Sequence, residues 1–178
     1  MRTALILAGA LFALPALAQV TSGPEVGSAV QPVKVAVLTG PQEGKDIEYA
    51  AERKNKPTLY VFLREFDRPV GRYIKLLDSA IREESTEAFT VAIWLTEKQD
   101  ETRAYLPRVQ GSLKMESTAL TLFTRDVNGP DNWNLNPNVR VTTVLVNEGK
   151  VVKTFAYQSI NDTDVPPVRE ALKKAVAK

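Results

Sequence analysis

Six residues in a row, Thr58-Leu59-Tyr60-Val61-Phe62-Leu63, are β-branched, aromatic or aliphatic, and Pro57 opens the run. A strand with one wet face alternates, whereas a strand covered on both faces is apolar almost throughout. The run therefore predicts a strand at the centre of a sheet. The next apolar residues have a different period. Val70, Tyr73, Ile74, Leu77 and Ile81 lie at i, i+3, i+4, i+7 and i+11, one apolar stripe of a helix, with Arg72, Lys75, Asp78 and Arg82 opposite. Asp67 is placed to cap that helix, and Pro69 falls in its first turn, where a missing N–H costs nothing. A doubly buried strand feeding an amphipathic helix points to an α/β architecture.

The flanking segments extend the pattern. Residues 33–38 read as a half-buried strand, 39–45 as a turn and 46–49 as a short returning strand, followed by a polar stretch over 52–56. Residues 88–95 are a second buried strand. Thr96 and Gln99 then have capping-box spacing for a helix carrying Tyr105, Leu106 and Val109, which Pro107 would kink or shorten. A shorter strand over 119–123 and a long loop over 125–140 lead to a hairpin, 141–146 and 150–157, turning at Asn147-Glu148-Gly149. Asp162 or Asp164 would cap a last helix containing Val168, Leu172, Ala175 and Val176. Alternating strands and helices imply parallel pairing, and the final hairpin an antiparallel edge. The expectation is one α/β domain, a central mixed β-sheet with helices on both faces and an N-terminal β-hairpin extension.

The first 18 residues read differently. Arg2 precedes an apolar run from Ala4 to Leu14, Pro15 breaks it, and Ala16-Leu17-Ala18 has the small-x-small pattern of a signal-peptidase site. The run is short for a bilayer span of about 20 residues. This predicts a signal peptide over 1–18, a flexible leader over 19–32 and a folded domain over 33–178. The exported product would be periplasmic or extracellular, with no membrane attachment after cleavage.

Two zeros narrow the chemistry. With Cys 0 and His 0 the chain has no disulfide, no thiolate nucleophile and no imidazole base, and lacks the usual zinc and haem ligands. Lys and Arg number 23 against 21 Asp and Glu, so no large field draws the chain to nucleic acid or an acidic membrane. An exported chain without cysteine needs a core large enough to stand unstapled, and about 160 residues can supply one.

The element order resembles the thioredoxin-like fold, an α/β/α sandwich, and specifically its peroxiredoxin branch, over about residues 23–177. Gly23-Pro24-x-Val26-Gly27 is similar to the leader of alkyl hydroperoxide reductase/thiol-specific antioxidant (redoxin) domains. Lys56 through Phe62 resembles their central strand, and Val141 through Val152 the thioredoxin-type hairpin. The resemblance implies a thiolate at the start of the helix after the central strand. Pro69-Val70-Gly71 would stand where the family has Pro-Val-Cys, so Gly71 takes the peroxidatic position. The family's cis-proline would fall near Val141 and is also missing. The scaffold is kept and the thiol chemistry is gone.

Arg64, Asp67, Arg68, Pro69, Gly71 and Arg72 surround that position. They read either as an anion or carboxylate pocket at a helix N-terminus or, more simply, as solvated arginines paired with Glu65 and Asp67. Asp126, Asn128 and Asp131 could offer oxygen ligands to calcium, although Gly129 comes too early for an EF-hand and no glutamate closes the loop. Trp133 in the same polar loop either plugs the core or meets a partner. No Gly-x-Ser-x-Gly elbow exists, and Ser112 near Lys114 is a chance pairing in a lysine-rich chain. The expected role is non-enzymatic binding, without a cofactor, of an extracytoplasmic protein or a small anionic ligand and not of nucleic acid. The alternatives are an enzyme with cysteine-independent chemistry, such as hydrolysis, and a calcium-dependent binding protein.

Overall fold

In a computed structural model, which describes residues 20–177, seven strands form one mixed sheet with four α-helices around it. The strands are β1 (Lys34–Val37), β2 (Asp46–Glu48), β3 (Thr58–Leu63), β4 (Phe89–Leu95), β5 (Thr118–Phe123), β6 (Val141–Asn147) and β7 (Lys150–Tyr157). Their order across the sheet is β2-β1-β5-β4-β3-β6-β7. Strands β3, β4 and β5 run parallel, and every other neighbour is antiparallel. The expected central strand is indeed interior, with β4 on one side and β6 on the other, and all six of its residues are buried.

The helices are α1 (Tyr49–Arg53), α2 (Arg68–Glu84), α3 (Gln99–Leu113) and α4 (Val165–Val176). Alternate residues of β3 serve two separate cores. Leu59, Val61 and Leu63 join the stripe of α2, Leu106 of α3, and Val168 and Leu172 of α4. Tyr60 and Phe62 join Tyr49 of α1 and Trp133. Helices do cover both faces, but unequally: the three long ones share one face. The other is closed by the five-residue α1 and by the loop after β5, which winds through a 3-10 turn at Asp131–Trp133. Trp133 is wholly buried there, its ring 5.1 Å from that of Tyr60 and 4.9 Å from that of Phe62.

Several local expectations change. The polar stretch after β2 begins as α1, because the Glu48 carboxylate accepts from the N–H groups of Ala50 and Ala51 at 2.9 Å each. So short a helix has no intrinsic stability, and the side-chain cap and burial of Tyr49 supply it. The Thr96–Gln99 capping box does not form. Helix α3 starts one residue beyond Lys98, Thr96 accepts from the Lys98 N–H, and the Gln99 amide instead donates to the Thr124 carbonyl. Pro107 neither ends nor shortens α3, which runs on to Leu113 and stops where Lys114 turns left-handed. Before α4, Asn161 caps a 3-10 turn at Asp162–Asp164, so neither aspartate is a side-chain cap of the helix itself.

The segment expected as a flexible leader is tied to the sheet from its first described residues. Ser22 is buried and shares a 2.6 Å hydrogen bond with Thr142, and the Gly27 N–H donates to the Val151 carbonyl at 2.7 Å. Among the described residues, packing against the sheet therefore includes Ser22 and Gly27, ahead of the expected boundary at 33. The expected signal peptide, 1–18, lies outside the described residues. Among the described residues, no helix is long and apolar enough to cross a membrane.

Candidate functional site

In parallel α/β sheets, ligand sites form beyond the carboxyl ends of the strands, where helix N-termini and loops converge. Here β3 delivers the chain through Arg64-Glu65-Phe66 into α2. Asp67 is the N-cap, its carboxylate accepting from the Val70 N–H at 3.1 Å, with Pro69 in the first turn. The capping aspartate does not stand free. Arg140, the residue before β6, pairs through one terminal nitrogen with Asp67 and approaches Glu65 with Nε at 3.2 Å. Burial would raise the Asp67 carboxyl, but the hydrogen bonds from Arg140 and from the Val70 N–H outweigh it and hold it below the usual carboxylate range. That is the opposite of what a general acid at neutral pH requires.

The arginines divide into spent and unspent. Arg64 points across the sheet, donating to the Val127 carbonyl at 2.8 Å and the Asn128 carbonyl at 3.3 Å, and its partial burial lowers its basicity. Arg72 lies 2.5 Å from the Asp162 carboxylate ahead of α4. Arg68 alone of the three has neither a hydrogen-bond nor an ion-pair partner among the described residues. The expected anion pocket at the helix N-terminus is therefore occupied by the protein's own acid, Asp67, and two of its arginines hold structure together.

Gly71, which the resemblance sets at the nucleophile position, lies near the start of α2 and is buried. A Cβ built there would lie 3.3 Å from Phe66 Cε1 and 3.7 Å from Leu113 Cδ1. The Phe66 ring thus lies over the position, and it extends into an aromatic cluster with Trp94 at 5.6 Å and Tyr105 at 5.9 Å between ring centres. Trp94 is tethered by a 3.4 Å hydrogen bond from its indole N–H to the Arg64 carbonyl. From this cluster two concavities open, of about 500 Å³ between α2 and α3 and about 480 Å³ past the end of β4. They share Phe66, Tyr105 and Arg108 in their walls and so lie side by side along α3 as two halves of one groove.

Arg140, Arg108, Phe66 and Tyr105 were not among the expected site residues. Arg140 had a signal, since the residue before the hairpin strand lies beside the start of α2 once β6 pairs with β3. Arg108 and Tyr105 had none, because their placement depends on how α3 lies against α2. Of the loop residues, Asp126 accepts from the Asn128 N–H at 2.7 Å, and no group of three acidic side chains placed to hold a metal exists among the described residues. Trp133, expected as a core plug or a partner contact, is the plug; being buried, it presents nothing to a partner.

No family model matches the chain, and neither does any curated protein. Solved structures do match. A candidate protein disulfide isomerase from Bacteroides thetaiotaomicron superposes with a TM-score of 0.66 at 13% identity, over 89% of this chain and 96% of that one. A candidate thiol:disulfide interchange protein DsbE from Chlorobium tepidum gives 0.63 at 12% identity, over 85% and 97%. A thiol peroxidase from Chromobacterium violaceum gives 0.59 at 14% identity, over 85% and 90%. The likeness establishes the fold, and the sequence contains no cysteine to accompany it.

Proposed function

We propose that this chain, a thioredoxin-like fold of the redoxin type without a cysteine, is an exported, non-enzymatic binding protein that uses the face around the start of α2. The observation that carries the reading is the replacement at that face. Gly71 stands beneath the Phe66 ring, and the neighbouring carboxylates Glu65 and Asp67 are paired with Arg140, so this position carries neither a thiol nor an unpaired carboxylate. The groove beside it remains open, lined by aromatic rings and by arginines without a carboxylate partner among the described residues. Export to the periplasm or the cell exterior is supported by the sequence of residues 1–18.

Two measurements test this together. Hydroperoxide consumption and insulin reduction by the purified protein should stay at the buffer rate; turnover proportional to protein concentration overturns the non-enzymatic reading. Cross-linking to extracytoplasmic proteins should capture a partner that an Arg68→Ala/Arg72→Ala double variant captures weakly. Equal capture by the variant would place the binding elsewhere.

A further inference from the structure

The groove between α2 and α3 has a length, a charge and a chemical character, and together they specify an occupant. Along α3 it extends from Lys98 to Leu113. At about 1.5 Å per helical residue that is roughly 22 Å, the reach of about six or seven residues of extended chain. A compact small molecule would fill only one of the two concavities. The floor is aromatic and aliphatic: Phe66, Trp94, Tyr105 and Leu113. Tyr105 is 42% exposed, one of only two large apolar side chains so exposed among the described residues.

The rim is cationic. Within the groove, Lys98 is paired with Glu101, Arg72 with Asp162 and Asp67 with Arg140. The remainder is positive, because Arg68 from α2 and Arg108 from α3 have no carboxylate partner among the described residues. Two unneutralised guanidinium groups flank the aromatic floor in a chain whose whole formal charge is only +2. Guanidinium forks match carboxylates bidentately, and apolar side chains gain by covering exposed rings.

We propose that this groove binds an extended peptide segment of a partner protein, in which an acidic side chain lies near a bulky apolar one. The carboxylate lies between Arg68 and Arg108, and the apolar side chain packs on Phe66 and Tyr105. This rests on the reading of the chain as a non-enzymatic binding protein and supplies its ligand class. The site lies beside the former nucleophile position, along α3, and uses the Arg68 side chain rather than the helix N-terminal amides that Asp67 caps.

The test uses the purified full-length protein and a displayed random heptapeptide library. Selection should enrich peptides with Asp or Glu within about three positions of Phe, Trp or Leu, and an enriched peptide made synthetically should change the emission of Trp94. Only two tryptophans are present and the other, Trp133, is buried in the opposite core, so the signal reports on the groove. An Arg68→Glu/Arg108→Glu variant should bind at least tenfold more weakly with an unchanged circular dichroism spectrum. Tyr105→Ala should weaken binding without altering its salt dependence. Replacing the peptide's acid by Lys should abolish binding, and raising salt should weaken it. Enrichment without an acidic bias, or undiminished binding by the double-Glu variant, overturns the proposal. If no peptide binds while cross-linking still captures a partner through Arg68 and Arg72, the groove assignment fails and the binding reading stands.

Discussion

Asp78 offers the sharpest test of how this face is held together. It lies mid-way along α2 with its side chain fully buried, yet no positive group touches it closely; Arg82 is at 3.5 Å and Lys75 at 3.9 Å. Its close partners belong to the segment that joins α3 to β5 and to the first residue of β5. The carboxylate accepts from the Glu116 N–H at 3.1 Å, the Ser117 N–H at 2.8 Å and the Thr118 hydroxyl at 2.9 Å. Replacing Asp78 with Ala strands those donors. Glu116 is exposed and its N–H can find water, so about two donors lose their partner. Each unsatisfied buried donor costs about 1–3 kcal/mol, which gives roughly 2–6 kcal/mol in all. Relief of burying a charge reduces this, and about 3 kcal/mol is a fair centre. For a domain of this size each kcal/mol moves Tm by about 2–4 °C, so Asp78→Ala should lower Tm by roughly 6–12 °C. Asp78→Asn keeps one acceptor oxygen and should fall between the two. Arg82→Ala should cost far less, since its ion pair with Asp78 is long and the 2.7 Å contact with Glu116 that it also removes is solvent-exposed. Thermal unfolding followed by circular dichroism measures all three. A drop below about 2 °C for Asp78→Ala, or an equal loss for Arg82→Ala, would refute the view that a hydrogen-bonded carboxylate moors the end of α3 beside α2.

Three further outcomes are expected. Gly71→Cys should fold, because the nearest contact is the movable edge of the Phe66 ring at 3.3 Å, but should show no peroxide turnover above wild type in a hydroperoxide-consumption assay. Trp133→Ala should cost about 3–5 kcal/mol by denaturant titration, as large aromatic truncations in a closed core do. The pH profile should be flat near neutrality, where neither His nor Cys exists to titrate, and should collapse in alkali. Burial, and then Glu52, raises Tyr49 to about 12, and burial, then Asp164, raises Tyr157 to about 12. Folded values above the unfolded value of about 10 mean that this stability is intact below pH ~10 and lost as pH climbs towards 12. Tyrosinate absorbance should therefore appear together with unfolding; ionisation near pH ~10 with the native spectrum intact would contradict the burial of these phenols.

Sequence reasoning reached the parts governed by local chemistry. The β3 run, the α2 stripe and the Asp67 cap follow from period and side-chain type, and the structure places all three as expected. It failed where a distant partner decides the outcome. Helix α1 depends on Glu48 folding back onto its own N-terminal amides and on Tyr49 finding a core. The Thr96–Gln99 box was locally plausible, but the Thr124 carbonyl captured the Gln99 amide. At the candidate site the pattern located Gly71 and the arginines in chain order. It could not say that Arg64 and Arg72 are engaged elsewhere, because Val127 and Asp162 are brought near only by the tertiary fold.

The unequal covering of the sheet also bears on how the molecule breathes. Three long helices protect one face, while much of the other is covered by a loop without regular structure beyond one 3-10 turn, tied down by Trp133, by the two carbonyls gripped by Arg64 and by single bonds to Thr21, Ser22 and Gly23. Segments with sparse hydrogen bonding open at a fraction of the global free energy, so amides of residues 126–138 should exchange with solvent ahead of those in β3 and β4. Each such opening frees the Arg64 guanidinium, whose backbone adjoins the start of α2. Loss of that grip, as in Arg64→Ala, should therefore speed exchange of the amides of residues 126–138.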